Sequence, residues 1–208
     1  GHFLLGGFQR LLAEWQRHEP GRNPVDIAQK ALDAVAGVDL NPFAVAISRF
    51  RLFVAALQAA GVQRLANAHN FKVSVAIGDS LLHGTRFGLS QSQELFDAAE
   101  AHADTGLAHA YASEDLADVQ RILGRQYHAV VGNPPYIVVK DAALNAAYRK
   151  KYASCHMKYS LGAPFTERFF ELALAALEGR SAGYVGLITT NSFMKREFGS
   201  KLIEQVLP

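Results

Sequence analysis

The residues best suited to chemistry in this chain stand four in a row, Asn133-Pro134-Pro135-Tyr136. They follow an apolar run, Tyr127 to Val131, which reads as a short buried strand. Two consecutive prolines lack the N–H that a sheet ladder needs, so the strand stops there. Each proline also pushes the residue before it out of helical space, which holds Asn133 and Pro134 extended. The product is a stiff elbow at the carboxyl end of a strand, the end at which open α/β sheets place their ligands. The elbow offers an amide oxygen, a proline carbonyl with no neighbouring N–H to compete for it, and an aromatic ring. Two acceptors and a π-face suit a planar ring that carries an amino group.

The elements that must position the elbow follow from length and pattern. At 208 residues, half of them hydrophobic, the chain can build one sizeable core. A net charge of +2 excludes a polycation that would hold nucleic acid by bulk charge. The single cysteine, Cys155, excludes an intramolecular disulfide framework and fits a reducing compartment, so a cytoplasmic location and an inert thiol are expected. No signal peptide and no unbroken apolar run of about 18 residues is visible, so no membrane partner is expected. His102, His109 and His128 lack zinc-ligand spacing with a cysteine, so no metal is assigned. The chain opens Gly1-His2-Phe3-Leu4-Leu5 without a methionine and stops at Leu207-Pro208, which reads as a piece of a longer protein.

Leu4, Phe8, Leu11, Leu12 and Trp15 form a 3.6-residue stripe, which predicts an amphipathic helix from Phe3 to Arg17 with Gly1 and His2 at its start. Asn23-Pro24 is a capping side chain followed by a first-turn proline, and predicts a helix to about Ala34. Ala34 to Leu40 reads as a strand with Asp39 at its carboxyl end. An acid there can accept both ribose hydroxyls of a nucleoside, or it can serve the start of the next helix. That helix, Phe43 to Ala60, is opened by Asn41-Pro42 and closed by Gly61. Phe71 to Ile77 reads as a strand that ends at Gly78-Asp79-Ser80, where a turn aspartate and a ligand-binding acid fit equally. Leu81 to Gln126 is long for a connection and reads as a helical insertion, with helices at Gln91 to Ala103 and Ser113 to Leu123. After the elbow come a helix from Phe165 to Leu177, a strand from Gly183 to Ile188, and a last helix from Glu197 to Val206. Alternating strands and helices argue a doubly wound, mostly parallel sheet.

Between the elbow and the Phe165 helix lie Lys140, Arg149, Lys150, Lys151 and Lys158 against a single acid, Asp141, with Tyr148, Tyr152 and Tyr159 among them. Cations beside aromatic rings suit phosphate and an extruded base; a solvated basic loop has the same composition.

Asn-Pro-Pro-Tyr after an apolar strand resembles the catalytic motif of S-adenosylmethionine-dependent amino-methyltransferases, above all the adenine-specific DNA N6-methyltransferases. Gly1-His2-Phe3-Leu4-Leu5 is similar to the end of that family's turn, Gly-Ser-Gly-His-Phe-Leu, in which a first strand passes into a helix. The order of Gly1-His2, Asp39, Asp79, the elbow, the Phe165 helix and the Gly183 strand resembles the family's order over nearly the whole chain apart from the insertion. Within the family, the likeness is to enzymes of bacteriophage-exclusion (phage-growth-limitation) and related restriction–modification systems. The resemblance implies a Rossmann-like class I methyltransferase fold that lacks its first strand here. It makes 1–208 part of a catalytic domain, with the insertion near 81–126, without a target-recognition domain, and inactive alone. It implies that Gly1, His2, Asp39, Leu40, Asp79, Ser80, Asn133 and Phe165 hold S-adenosylmethionine, Asp79 by accepting from the cofactor's adenine amino group. Asn133, Pro134, Pro135 and Tyr136 become catalytic, and Tyr136, Lys140, Arg149, Lys150, Lys151 and Lys158 become nucleic-acid contacts. The implied substrate is double-stranded DNA with a flipped adenine, and the implied partners are other subunits of a phage-defence system. Protein-glutamine and RNA amino-methyltransferases resemble the elbow too, and an inactive binding module is a third reading.

Overall fold

Two asparagines, each followed by proline, start two of the helices. Asn23 accepts from the Val25 N–H at 2.9 Å and Asn41 from the Phe43 N–H at 2.9 Å, and each proline sits in the first turn, where its missing N–H is not needed. The computed structural model that shows these caps describes residues 1–87, 115–195 and 197–207. They fall into two units, residues 1–80 with 115–122, and residues 81–87 with 123–207.

In the first unit, α1 (His2–His18), α2 (Pro24–Asp33) and α3 (Pro42–Ala59) pack with a parallel pair of strands, β1 (Ala36–Asp39) and β2 (Ser74–Ile77). Phe8, Leu32, Val45 and Leu52 are the fully buried centre. A Cβ at Gly37 would lie 2.8 Å from Leu4 Cδ1, and one at Gly7 would lie 3.4 Å from Val35 Cγ1. Later residues of α1 therefore meet earlier residues of β1, so the helix runs antiparallel to the strand and Gly1-His2 lies toward its carboxyl end. β2 begins at Ser74 rather than Phe71 because the Gln29 side chain takes the Lys72 N–H at 3.0 Å and the Lys72 carbonyl at 3.1 Å, the groups a neighbouring strand would take. α3 ends at Gly61 (φ +71°). By length and composition α3 could cross a membrane, but Val45, Leu52, Ala56 and Leu57 lie in the unit's core and Arg49 Nε donates to the Val75 carbonyl at 2.7 Å. α4 (Leu116–Leu123) follows Asp115, whose N–H donates to the Ile77 carbonyl at 3.0 Å. The helix expected at Gln91 to Ala103, and Ser113 as a helix start, lie outside the described residues.

In the second unit, β3 (Ala129–Gly132) and β4 (Tyr184–Leu187) form another parallel pair, with α5 (Ala142–Lys151), α6 (Gly162–Leu172) and α7 (Ser192–Lys195). The described strands thus make one parallel pair in each unit, β1 and β2 connected through α3, and β3 and β4 through α5 and α6. β3 is not the fully buried strand its composition suggests. Val130 and Gly132 are turned inward, Gly132 so closely that a Cβ there would meet Phe169 Cζ at 2.6 Å, but Val131 is 53% exposed. α6 starts three residues before Phe165 and stops at Leu172 instead of Leu177. Tyr127 ends it: its N–H donates to the Leu172 carbonyl at 2.8 Å and its carbonyl accepts from Leu174 N–H at 2.9 Å, which draws the chain into a strand-like bridge. The expected last helix, Glu197 to Val206, is broken into a 3-10 turn, Glu197–Gly199, and a π-helical turn, Leu202–Val206. Gly199 lies so near α7 that a Cβ would fall 1.8 Å from the Phe193 carbonyl oxygen, a crossing a straight helix could not make.

The second unit also buries charge. Arg168 is fully buried, donating to the Thr85 carbonyl at 2.7 Å, the His83 carbonyl at 3.0 Å and Glu171 at 3.1 Å, while Arg86 forms a bidentate pair with Glu171. Burial pushes the Cys155 thiol up to about 12, so it stays protonated and unreactive.

Gly183, just before β4, lies in a space enclosed by backbone: a Cβ would lie 2.7 Å from the Tyr127 carbonyl oxygen and 2.8 Å from the Leu174 nitrogen. Gly183→Ala is expected to lower stability by about 1–3 kcal/mol, read as faster amide hydrogen exchange in 127–132 and 184–187. Unchanged exchange there would refute the close packing.

Candidate active site

The elbow is built as its sequence requires. Gly132 pairs with Leu187 at the end of β3, the Ile188 N–H donates to the Gly132 carbonyl at 3.0 Å, and residues 133–140 leave the sheet without regular structure. Asn133 and Pro135 are exposed and Pro134 is buried. Pro135 has no N–H, so nothing within the elbow competes for the Pro134 carbonyl. Tyr136 is 45% exposed, and its hydroxyl lies 2.7 Å from Asn133 Oδ1 and 2.9 Å from the Ile188 carbonyl oxygen. Ile188, just past β4, is a member of this site that sequence reasoning missed. The only signal was its place at the carboxyl end of a strand, where parallel sheets gather their ligands.

Gly1, His2, Asp39, Leu40, Asp79 and Ser80, also expected as ligand residues, lie in the first unit. β1 and β2 are in register, Asp39 opposite Ile77, and the Gly78 N–H donates to the Asp39 carbonyl at 3.1 Å, which brings Asp39 and Asp79 to the same end of the pair. Asp39 is exposed. One of its oxygens accepts from the Asn41 N–H at 2.8 Å and so steadies the start of α3, while Asn41 itself caps the helix. The role at the helix start read from the sequence is thus filled by one oxygen. Asp79 is buried, Ser80 half-buried and Leu40 exposed. Gly1 caps α1 without a side chain, beside Ser48, and His2 opens the helix. An exposed strand-end carboxylate, a second acid at the same edge and a helix start with outward N–H groups fit the diol, the amino group and the carboxylate of an amino-acid nucleoside. Phe165, in the second unit, is half-buried and edge-on to Phe169 with ring centroids 6.1 Å apart.

The basic segment differs from its sequence reading. Tyr148, Tyr152 and Tyr159 are each at most 3% exposed and belong to the core with Leu81 and Leu202, so none can stack on a base. Tyrosine can lie there because its hydroxyl finds a partner; that of Tyr152 donates to the Leu81 carbonyl at 2.8 Å. Arg149 is spent on its own chain, donating to Asn145 Oδ1 at 2.8 Å, the Cys155 carbonyl at 2.9 Å and the Met157 carbonyl, and lying over the Tyr159 ring. Lys151 donates to the Leu82 carbonyl at 2.5 Å. Lys140, Lys150 and Lys158 are exposed. No cluster of three or more metal-ligating side chains occurs among the described residues.

Comparison with known proteins matches residues 33–206 to the family described as Eco57I restriction-modification methylase. The chain is 50% identical over 210 residues to the adenine-specific methyltransferase PglX of Streptomyces coelicolor, an alignment covering 98% of this chain and 17% of that protein. It is 30% identical over 204 residues to the type II methyltransferase M.PaeR7I of Pseudomonas aeruginosa, covering 97% of this chain and 27% of that one. The chain therefore spans 17% and 27% of the length of these two relatives. With the elbow, both strand pairs and both strand-end acids inside the matched range, the chain belongs to the Eco57I restriction-modification methylase family.

Proposed function

We propose that this chain is part of an adenine-specific DNA methyltransferase that methylates the exocyclic N6 amino group of an adenine flipped out of double-stranded DNA, in phage defence or restriction–modification. The observation that carries the reading is the elbow: an exposed Asn133 amide and the Pro134 carbonyl at the carboxyl end of β3, with the Tyr136 ring beside them. The names of the relatives support it. An exocyclic aromatic amine is a poor nucleophile because its lone pair is delocalised into the ring. Asn133 Oδ1 and the Pro134 carbonyl accept its two N–H bonds and help localise that lone pair as the nitrogen pyramidalises. Both acceptors hold the amine more tightly as positive charge builds on it, which stabilises the transition state rather than the ground state. S-adenosylmethionine, when bound, would supply a methyl group on a sulfonium that leaves as a neutral thioether, and the cationic methylated amine then releases one proton to water, so no covalent enzyme intermediate is needed. Gly1, His2, Asp39, Leu40, Asp79 and Ser80, all in the first unit, are the residues assigned to the cofactor, and Asn133 is assigned to the substrate amine. A base inside a duplex cannot reach such an elbow, so it is flipped and stacked on Tyr136. Lys140, Lys150 and Lys158 contact phosphate; Arg149 and Lys151, tied to their own backbone, shape that surface.

The fold assigned with this function is the Rossmann-like class I methyltransferase fold. Its support is the pair of βαβ units, each ending in a candidate ligand residue at a strand's carboxyl end. Other subunits of the same defence system are the implied protein partners, and a cytoplasmic location goes with a DNA substrate.

The test is methyl incorporation by the full-length protein into duplex DNA, tRNA and a release-factor peptide. Label at adenine N6 of the duplex is expected; label in tRNA or peptide alone would overturn the reading. Asp39→Ala in the same protein should weaken S-adenosylmethionine binding by about 1.5–3 kcal/mol, the scale for charge-assisted hydrogen bonds. Unchanged affinity by calorimetry would remove Asp39 from the cofactor site.

A further inference from the structure

Tyr136 does more at the elbow than present a ring. Its hydroxyl lies between two oxygens, Asn133 Oδ1 at 2.7 Å and the Ile188 carbonyl at 2.9 Å. A phenol has one hydrogen to donate, so the two oxygens share it. The shorter separation is the ordinary length of an O–H···O bond. Asn133 is exposed, and an exposed amide side chain turns freely unless a partner holds one end of it. Among the described residues the Tyr136 hydroxyl is the partner that does so. Ile188 in turn is fixed, because its N–H donates to the Gly132 carbonyl at 3.0 Å at the end of the β3–β4 pair. The elbow amide is thus tied through one hydroxyl to the neighbouring strand.

We propose that the Tyr136 hydroxyl, as distinct from its ring, is a positioning group that keeps Asn133 Oδ1 aimed as an acceptor for the substrate amine. The proposal rests on the methyl-transfer reading of the elbow. The amide oxygen has two lone pairs, so the phenol on one leaves the other for the amine. The Ile188 carbonyl gives the phenol hydrogen a second place to go. Phenylalanine would stack on a base equally well, but it would leave the amide loose.

The test compares Tyr136→Phe with wild type in the full-length protein, alone and in an Asn133→Ala background. The single-turnover rate should fall roughly three- to tenfold in Tyr136→Phe, the worth of one net hydrogen bond. KM for DNA should stay within about twofold, because the stacking ring is kept. In the Asn133→Ala background the same substitution should have no further effect, the signature of a group that acts through its neighbour. A measurement without methylation accompanies these: the fluorine resonance of 3-fluorotyrosine placed at position 136 should shift when Asn133 is changed to Ala. An unchanged rate in Tyr136→Phe, an equal loss in both backgrounds, or a fluorine resonance indifferent to Asn133→Ala would each overturn the proposal. If the resonance shifts while wild type transfers no methyl group to DNA, the tie is real and the methyl-transfer function is what fails.

Discussion

Asn133→Ala is expected to slow methyl transfer on the order of a hundredfold or more, the scale for losing one preorganised acceptor or donor that acts at the transition state. S-adenosylmethionine affinity should be nearly unchanged. The asymmetry follows from where the side chain stands. Asn133 is exposed at the end of β3, beside the Pro134 carbonyl and Tyr136, where it faces the substrate amine. The Pro134 carbonyl is backbone and cannot be deleted by substitution, so Asn133 is the one acceptor of the pair that a variant can remove. Its hydrogen bond to the amine is modest while the nitrogen is neutral and stronger once the nitrogen is cationic, so the loss should fall on the rate and not on substrate binding. The measurement is single-turnover methylation of an adenine-containing duplex, with cofactor affinity determined in parallel. A wild-type rate in Asn133→Ala, or a loss explained wholly by failure to bind cofactor, would make the elbow a structural loop.

The elbow was legible in the sequence because prolines act on their immediate neighbours. No distant partner is needed to end a strand at Pro134 or to extend Asn133. The same locality explains why α2 and α3 begin at the prolines after Asn23 and Asn41, and why Gly61 closes α3. Features set by distant partners were not legible. α6 stops at Leu172 because Tyr127 takes the backbone groups beyond it, and β2 starts late because Gln29 occupies Lys72. Tyr148, Tyr152 and Tyr159 read as base-stacking rings because cations surround them in sequence. In the structure Arg149 and Lys151 turn back onto backbone carbonyls, and the rings fill the core. The sequence shows Tyr136 as a ring alone, since the second partner of its hydroxyl, the Ile188 carbonyl, lies 52 residues away just past β4. The buried charges left the faintest trace. Arg168 and Glu171 sit one turn apart on a helix whose other inward residues are mostly apolar. That is a pattern for charges paired inside, but nothing in it names Arg86.

Glu171→Ala is expected to destabilise the second unit by about 3–5 kcal/mol, the range for breaking a buried ion pair by removing one partner. Glu171 is the shared anion of two guanidinium groups. Arg86 Nε reaches its two oxygens at 2.8 and 2.7 Å, and Arg168 Nη1 reaches it at 3.1 Å. Both arginines are nearly sealed from water, with side chains 9% and 0% exposed. An arginine cannot escape by losing its proton, so without Glu171 two positive charges would stay buried. Among the acids of the described residues, Glu167 would remain near Arg86, at 3.5 Å, and it is also engaged with the Ser154 N–H at 2.9 Å. The carbonyls of His83 and Thr85, which Arg168 holds, would loosen with it, so residues 81–87 should open together with α6. Glu171→Gln keeps the shape and one acceptor oxygen but loses the charge and turns the other oxygen into a donor, and should lose less than Glu171→Ala. Because the full-length protein is not expected to unfold in one step, the measurement is amide hydrogen exchange over 81–87 and 162–172 rather than a melting curve. Protection there should fall by about two to four orders of magnitude in Glu171→Ala, since each tenfold corresponds to roughly 1.4 kcal/mol. Protection within about threefold of wild type would mean that the arginines find water or another anion, and that the network is not what holds this unit together.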